Sequence, residues 1–197
     1  MPNYKLYYFP LKGRGEVIRL LFHYAGVEFE DIRVSFKDWP SMKNDMPYKQ
    51  MPVLEVDGVK LSQSAAIGRY VARELGLMGK TSLEGAKADE IGEAVHDVMM
   101  KLPWTETNEE EKKKLMQTAL NEGIPPMLKL LETRLDGDYF LSQASSADIV
   151  FAGCADYLQS LKSDILDDTP RLAALKDRIF SNPGVAKYVA GRPKTDM

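Results

Sequence analysis

Cysteine is almost missing from this chain: among 197 residues there is one, Cys154, so no internal disulfide can form and no C-x-x-C pair is available for zinc or redox work. Histidine is nearly as scarce, with His23 and His96 too few and too far apart for a recognisable zinc site. No apolar run approaches the roughly eighteen residues of a membrane span, and no apolar segment near the start reads as a secretion signal. Excess positive charge is lacking too. Lys and Arg number 26 against 29 Asp and Glu, a formal net charge of -3, and the basic cluster Lys112-Lys113-Lys114 follows directly on Glu109-Glu110-Glu111. Acids leading and bases following are what the dipole of a solvated helix start prefers, so the run does not argue for nucleic acid. G-x-S-x-G and the P-loop are absent, and Gly13-Arg14-Gly15-Glu16 lacks the rest of a dinucleotide fingerprint. Hydrolase and nucleotide-dependent chemistry lose their usual support. These absences leave the expectation of a soluble, cytoplasmic protein that needs no metal and binds neither nucleic acid nor membrane.

What is present is concentrated between Gln50 and Ser64. The runs 53–56 and 59–61 are β-branched and apolar and are separated by Asp57-Gly58, a pair that tolerates the positive φ values of a type I′ turn; the spacing predicts a hairpin. Ser64 is placed to cap a helix over 65–75, with Ile67, Tyr70, Val71 and Leu75 on one face and Gly76 as its stop. A capped helix start presents unpaired backbone N–H groups and the positive end of a dipole, so it can hold a carboxylate. Upstream, the aromatic run 4–9 predicts a strand, 15–25 a helix and 27–34 a second strand, while 38–46 is irregular around Trp39-Pro40 with room for a short helix. The order β-α-β-(short α)-β-β-α predicts a small sheet containing a parallel crossover and an antiparallel hairpin.

Beyond this the pattern changes. Residues 76–84 read as a linker, and from Ala86 onward the apolar spacing is helical throughout. Asn108 is placed to cap one helix, Pro125-Pro126 must bend or break it, Ser145-Ser146-Ala147-Asp148 forms an S-x-x-D capping box, and Thr169-Pro170 and Asn182-Pro183 punctuate the end of the chain. The fold class expected is therefore α/β plus all-α, with an N-terminal domain over 1–75, a linker over 76–84 and a helical domain over 85–197.

Few side chains outside this frame suggest chemistry. Glu93, His96 and Asp97 share one helical face, but a second Glu-x-x-His pair is missing. Cys154 falls on the apolar face of its helix, where an inert buried thiol is the plainer reading than a nucleophile, and Met99-Met100 read first as packing.

Taken in order, Tyr4-Lys5-Leu6 with Tyr8-Phe9, Gly13-Arg14-Gly15-Glu16, Asp38-Trp39-Pro40, Met51-Pro52-Val53-Leu54, Asp57-Gly58, Gln63-Ser64 and Ser145-x-Ala147-Asp148 resemble a cytosolic glutathione transferase, across nearly the whole chain. Asp38-Trp39-Pro40, and Asp97 followed by Pro103-Trp104, resemble the sigma class in particular. The resemblance implies a thioredoxin-like N-terminal domain, an all-helical C-terminal domain, a homodimer and glutathione as co-substrate. It implies that Tyr8 donates a hydrogen bond to the glutathione sulfur and that Arg14 adds positive charge beside it. Tyr7 competes for that role, but adjacent strand residues face opposite ways.

The same resemblance has Met51, before a cis Pro52, pair its backbone with the cysteinyl residue, and has Gln63 and Ser64 hold the γ-glutamyl carboxylate. Trp39, Lys43 and Gln50 would line the glycyl end, and Asp97 would reach the γ-glutamyl ammonium of the other subunit's ligand. Phe9, Met99, Trp104 and Cys154 are the candidates for the electrophile pocket. The implied activity is conjugation of the glutathione thiolate to small hydrophobic electrophiles, a detoxification role. A glutathione-dependent prostaglandin D isomerase, and a structural protein on the same fold as in lens crystallins, are the alternatives. Pro10-Leu11-Lys12 departs from the more polar loop of the class, and His96 stands where an acid would serve a metal.

Overall fold

Burial alternates along β1 (Tyr4–Tyr8): Tyr4, Leu6 and Tyr8 point inward, while Lys5 and Tyr7 are half exposed. Two-residue periodicity thus fixes which tyrosine enters the interior. The computed structural model describes residues 2–195. Its first compact unit runs to Leu77 and includes the chain from Phe180 onward; its second spans Met78–Ile179.

In the first unit β1 pairs in parallel with β2 (Glu30–Arg33) and antiparallel with β3 (Val53–Val56), which turns into β4 (Val59–Ser62), giving the order β2-β1-β3-β4. Asp57 at φ 49° and Gly58 at φ 86° form the two-residue turn expected of this pair. β2 is shorter than the stretch 27–34 predicted: its Glu30, Asp31 and Arg33 are those of a charged sheet edge, and Phe29 stacks instead on Phe22 at 4.6 Å. α1 (Glu16–Ala25) buries Ile18, Leu20, Leu21 and Phe22 and ends at Gly26, whose φ of 66° a side chain would disfavour. α2 (Trp39–Met42) is the short helix of the irregular stretch, and α3 (Ser64–Glu74) buries Ile67, Val71 and Ala72 and packs on α1.

The last helix groups with this unit, and the expected end of the helical domain at 197 lies outside the described residues. α9 (Pro183–Gly191) packs on α1. Asn182 both caps α9, accepting from the Gly184 and Val185 N–H groups, and donates to the Tyr24 carbonyl at 3.3 Å. Gly184 lies against the His23 carbonyl with no room for a Cβ, and the His23 ring stacks on Tyr188 at 4.3 Å.

The second unit is helical. α4 (Ser82–Met100) begins inside the stretch expected to be linker, because Thr81 is an N-cap: its hydroxyl accepts from the Glu84 N–H at 3.1 Å. α4 packs on α7 (Ser146–Leu161). Asn108 caps α5 (Glu109–Thr118) as expected, accepting from the Glu111 N–H at 3.0 Å. Pro125 and Pro126 do not break the chain of helices; a π-helical turn at Ala119–Gly123 absorbs the change and places the prolines at the start of α6 (Ile124–Glu132), where a missing N–H costs nothing. The box at Ser145 forms with a fully buried carboxylate: Asp148 accepts from the Ser145 N–H at 2.7 Å, the Ser145 hydroxyl at 2.8 Å and the Phe140 N–H at 2.8 Å. Burial pushes this carboxyl upward in pKa, and those donors pull it back. α8 (Pro170–Phe180) starts at its proline. Among the described residues no helix is long and apolar enough to cross a membrane.

Candidate active site

Tyr8 closes β1 at 7% exposure, and the glycines that follow make its slot. A Cβ on Gly13 would lie 2.7 Å from the Tyr8 hydroxyl, and one on Gly15 would lie 2.5 Å from Cδ1 of the ring. With both side chains absent, the 3₁₀ turn Gly13–Gly15 brings the Arg14 backbone N–H to the Tyr8 Oη at 3.0 Å. The oxygen accepts there, so its own proton remains to be donated to another group. Tyr7, the competing tyrosine, points to the opposite face and donates to Glu55 at 3.2 Å. Burial, then the Glu55 charge, pushes its pKa upward, away from any easy ionisation.

Beside this slot a small cleft in the same unit is lined by Arg14, Tyr48, Gln50, Met51, Pro52, Ser62, Gln63 and Ser64. The Met51-Pro52 peptide is cis. Six of the residues singled out in the sequence therefore meet: Arg14, Gln50, Met51, Pro52, Gln63 and Ser64. One local reading is corrected. Ser64 is not the N-cap of α3 but its first residue; Gln63 takes the cap position at φ 72°, ψ 112°, with no capping hydrogen bond from its side chain. A non-glycine residue at such a φ costs about 1–3 kcal/mol and persists where surrounding structure imposes it, typically at functional sites. The start of α3 thus lies at the cleft without a side-chain cap from Gln63, and an uncapped helix start is a setting suited to a carboxylate.

Tyr48 and Ser62 were not anticipated. Tyr48 is 77% exposed at φ 52°, in a polar stretch where nothing local marked it. Ser62 is a buried hydroxyl at the end of β4, on the face that exposed Lys60 shares, so strand alternation would have marked it as facing outward. Trp39 and Lys43 stand outside the lining: the Trp39 ring meets Phe9 edge-on at 5.8 Å, and Lys43 is exposed in the turn Lys43–Asp45. Phe9 also stacks on Phe36 at 4.6 Å.

In the second unit Met99, Trp104 and Cys154 form a cluster of their own. The Trp104 Nε1 donates to the Met99 carbonyl at 2.6 Å, the Cys154 Sγ lies 3.2 Å from the Met99 Sδ, and the Trp104 ring stacks on Tyr157 at 5.8 Å. Burial pushes the Cys154 thiol up to about 12, so it is not a thiolate near neutrality and offers only apolar surface. Asp97 and His96 are exposed on α4, and no group of His, Cys, Asp or Glu able to hold a metal ion occurs among the described residues.

Family models for the glutathione S-transferase N-terminal and C-terminal domains match residues 2–73 and 93–192. The chain is 46% identical to haematopoietic prostaglandin D synthase of Gallus gallus over 197 residues, covering 99% of both chains. It is 38% identical to a glutathione S-transferase of Anopheles gambiae over 203 residues, covering 100% of each. A solved structure of rat hPGDS complexed with a quinoline aligns with a TM-score of 0.93 at 37% identity, covering 100% of both chains.

Proposed function

The chain belongs to the glutathione S-transferase family, and from that premise we propose that it is a sigma-class enzyme joining the thiolate of glutathione to small hydrophobic electrophiles. The observation that carries this reading is the Tyr8 hydroxyl, pinned through its oxygen by the Arg14 N–H at 3.0 Å and so left with a proton to donate. A free thiol of pKa about 8.5 is only a few per cent thiolate at neutral pH, and each unit of lowering favours the thiolate by about 1.4 kcal/mol. A donor aimed at the sulfur, with the Arg14 cation beside it, supplies that shift. The thiolate then forms a carbon–sulfur bond to the electrophile, and the electrophile's leaving group departs or its double bond takes up a proton.

Glutathione is the co-substrate, and this chain's residues have distinct parts in holding it. The Met51 backbone extends the sheet toward the cysteinyl residue, as an added strand would. Gln63 and the start of α3 at Ser64 take the γ-glutamyl carboxylate, and Gln50, with Trp39 and Lys43, the glycyl end. Asp97 answers the γ-glutamyl ammonium held by a second copy, which makes the working form a homodimer. For the electrophile the first unit offers Phe9, and the second offers Met99, Trp104 and the unreactive Cys154. Detoxification in the cytoplasm is the setting that fits this chemistry.

A second reading is favoured by the relatives named haematopoietic prostaglandin D synthase. The same thiolate attacks one oxygen of a prostaglandin endoperoxide and forms an S–O bond as the O–O bond breaks, the freed oxygen taking a proton. Loss of the proton on the carbon that bears the sulfur-bound oxygen then forms the carbonyl as the S–O bond breaks and the thiolate leaves. Both readings use Tyr8 and are separated by the products formed. The decisive assay is glutathione conjugation of a chlorodinitrobenzene by wild type and by Tyr8→Phe. The expected outcome is an active wild type and a loss in the variant of about a hundredfold, the scale of one lost donor to a developing anion. A folded, dimeric wild type without activity on either substrate would leave a structural protein on a transferase scaffold.

A further inference from the structure

The first helix opens with a carboxylate and carries a guanidinium one turn later, and both are buried. Glu16 is 6% exposed and Arg19 0%. The Arg19 Nε donates to the two Asp31 oxygens at 3.0 and 3.2 Å. Its Nη1 donates to the Leu11 carbonyl at 2.8 Å and to Glu16 at 3.4 Å, and its Nη2 to the Phe9 carbonyl at 3.3 Å. The guanidinium carbon lies 5.7 Å from the centroid of the Tyr8 ring. Glu16 is held in turn by the far end of the chain: it accepts from the Tyr188 hydroxyl at 2.8 Å and from the Arg192 Nη1 at 2.6 Å.

Stability alone does not account for this arrangement. A buried ion network is often no more stabilising than apolar residues of the same volume, because desolvating each ion costs several kcal/mol. Nor is a lone cation aimed at Tyr8: Asp31 pairs with Arg19 and Arg33, and Glu16 with Arg19 and Arg192, so the charge is spread over five side chains. What the network supplies is geometry. A rigid planar fork grips the carbonyls on both sides of Pro10, in the turn between Tyr8 and Gly13, and lies within cation–π range of the tyrosine ring.

We propose that Arg19 is a positioning residue for Tyr8: it fixes the turn Phe9 to Leu11 and the tyrosine ring, while Glu16, clamped by Tyr188 and Arg192, fixes Arg19. The C-terminal helix thereby sets the aim of a hydroxyl at the other end of the chain. The inference rests on the reading of Tyr8 as the donor to the glutathione sulfur, but the placement of Tyr8 is measurable without any substrate.

The test uses the full chain with fluorotyrosine incorporated, the Tyr8 signal being assigned by its disappearance in Tyr8→Phe. Tyr188→Phe removes only the hydroxyl that donates to Glu16, and Glu16→Gln keeps the shape of the carboxylate without its charge. In both variants, without glutathione, the Tyr8 ¹⁹F resonance is expected to shift or broaden. Conjugation kcat is expected to fall about tenfold in Glu16→Gln, within the cost of a slightly misplaced catalytic group. The KM for glutathione should change less than kcat, because the 50–64 part of the cleft is untouched. Arg19→Lys, which keeps the charge and loses the fork, should fail to restore kcat. A Tyr8 resonance that coincides with wild type in the folded variants overturns the proposal, as does wild-type kcat in Arg19→Lys. A shifted resonance in a protein whose wild type conjugates nothing leaves the positioning intact and overturns the transferase reading instead.

Discussion

Gly15 stands so close to Tyr8 that a Cβ on it would lie 2.8 Å from Cγ and 2.5 Å from Cδ1 of the ring. Neither the strand end that carries Tyr8 nor the helix start that follows Gly15 can yield easily, so the ring would have to turn. Gly15→Ala is therefore expected to lower conjugation activity to near the level of Tyr8→Phe. The accompanying loss of stability should be about 1–3 kcal/mol, as for other overpacked sites. Steady-state kinetics and denaturant melts measure the two effects separately; full activity in a stable Gly15→Ala would show that the slot is not needed.

Gln63 combines a site position with a backbone conformation that favours glycine, at φ 72°. Gln63→Gly should relieve that conformation and offset its own greater unfolded-state entropy, for a net stabilisation of up to about 1 kcal/mol. The same change removes the side chain proposed to hold the γ-glutamyl group, and the KM for glutathione should rise about tenfold, matching one lost hydrogen bond to a charged group. Thermal melts and glutathione titrations of one preparation check the pairing. A variant that loses stability and keeps its affinity would contradict both halves.

His23 gives the fold a pH dependence. Burial lowers its pKa from 6.5, Arg19 adds to the lowering, and Asp31 and Glu16 act against it, while the ring stacks on Tyr188. Because the folded value lies below the unfolded one, the unfolded chain binds the proton first as pH falls. The stability associated with neutral His23 is complete above about pH 6.5 and is lost as pH drops through the folded value. His23→Phe, which keeps a ring for Tyr188, should melt at a temperature less dependent on pH below 6.5. Equal slopes for the two proteins between neutral and mildly acidic pH would remove His23 as their cause.

Much of the fold was legible because its signals are local. Asp57-Gly58 demands positive φ within two residues, Asn108 caps a helix three residues on, and Ser145 and Asp148 answer each other across one turn. The alternation of β1 tells, from a period of two, that Tyr4 and Tyr8 share one face and Tyr7 takes the other, and the structure makes the first of these the inner one. The cap at Thr81 was equally local and was hidden only by the glycines around it. At Ser64 the local rule failed, since a serine before a helical pattern is the ordinary cap, yet the turn out of β4 places Gln63 there instead.

The sequence by itself thus determined most elements and their order, since turn, cap and periodicity signals act over a few neighbours, while six of the eight residues that line the cleft were named through the family resemblance. Only the tertiary structure decided that Arg19 is buried, that Tyr48 enters the lining of the cleft, and that the last helix returns to the first. Those outcomes depend on partners distant in the chain. Glu16 meets Tyr188 at a separation of 172 residues and Arg192 at 176, and no pattern local to α1 distinguishes a buried ion network from a charged residue at the surface.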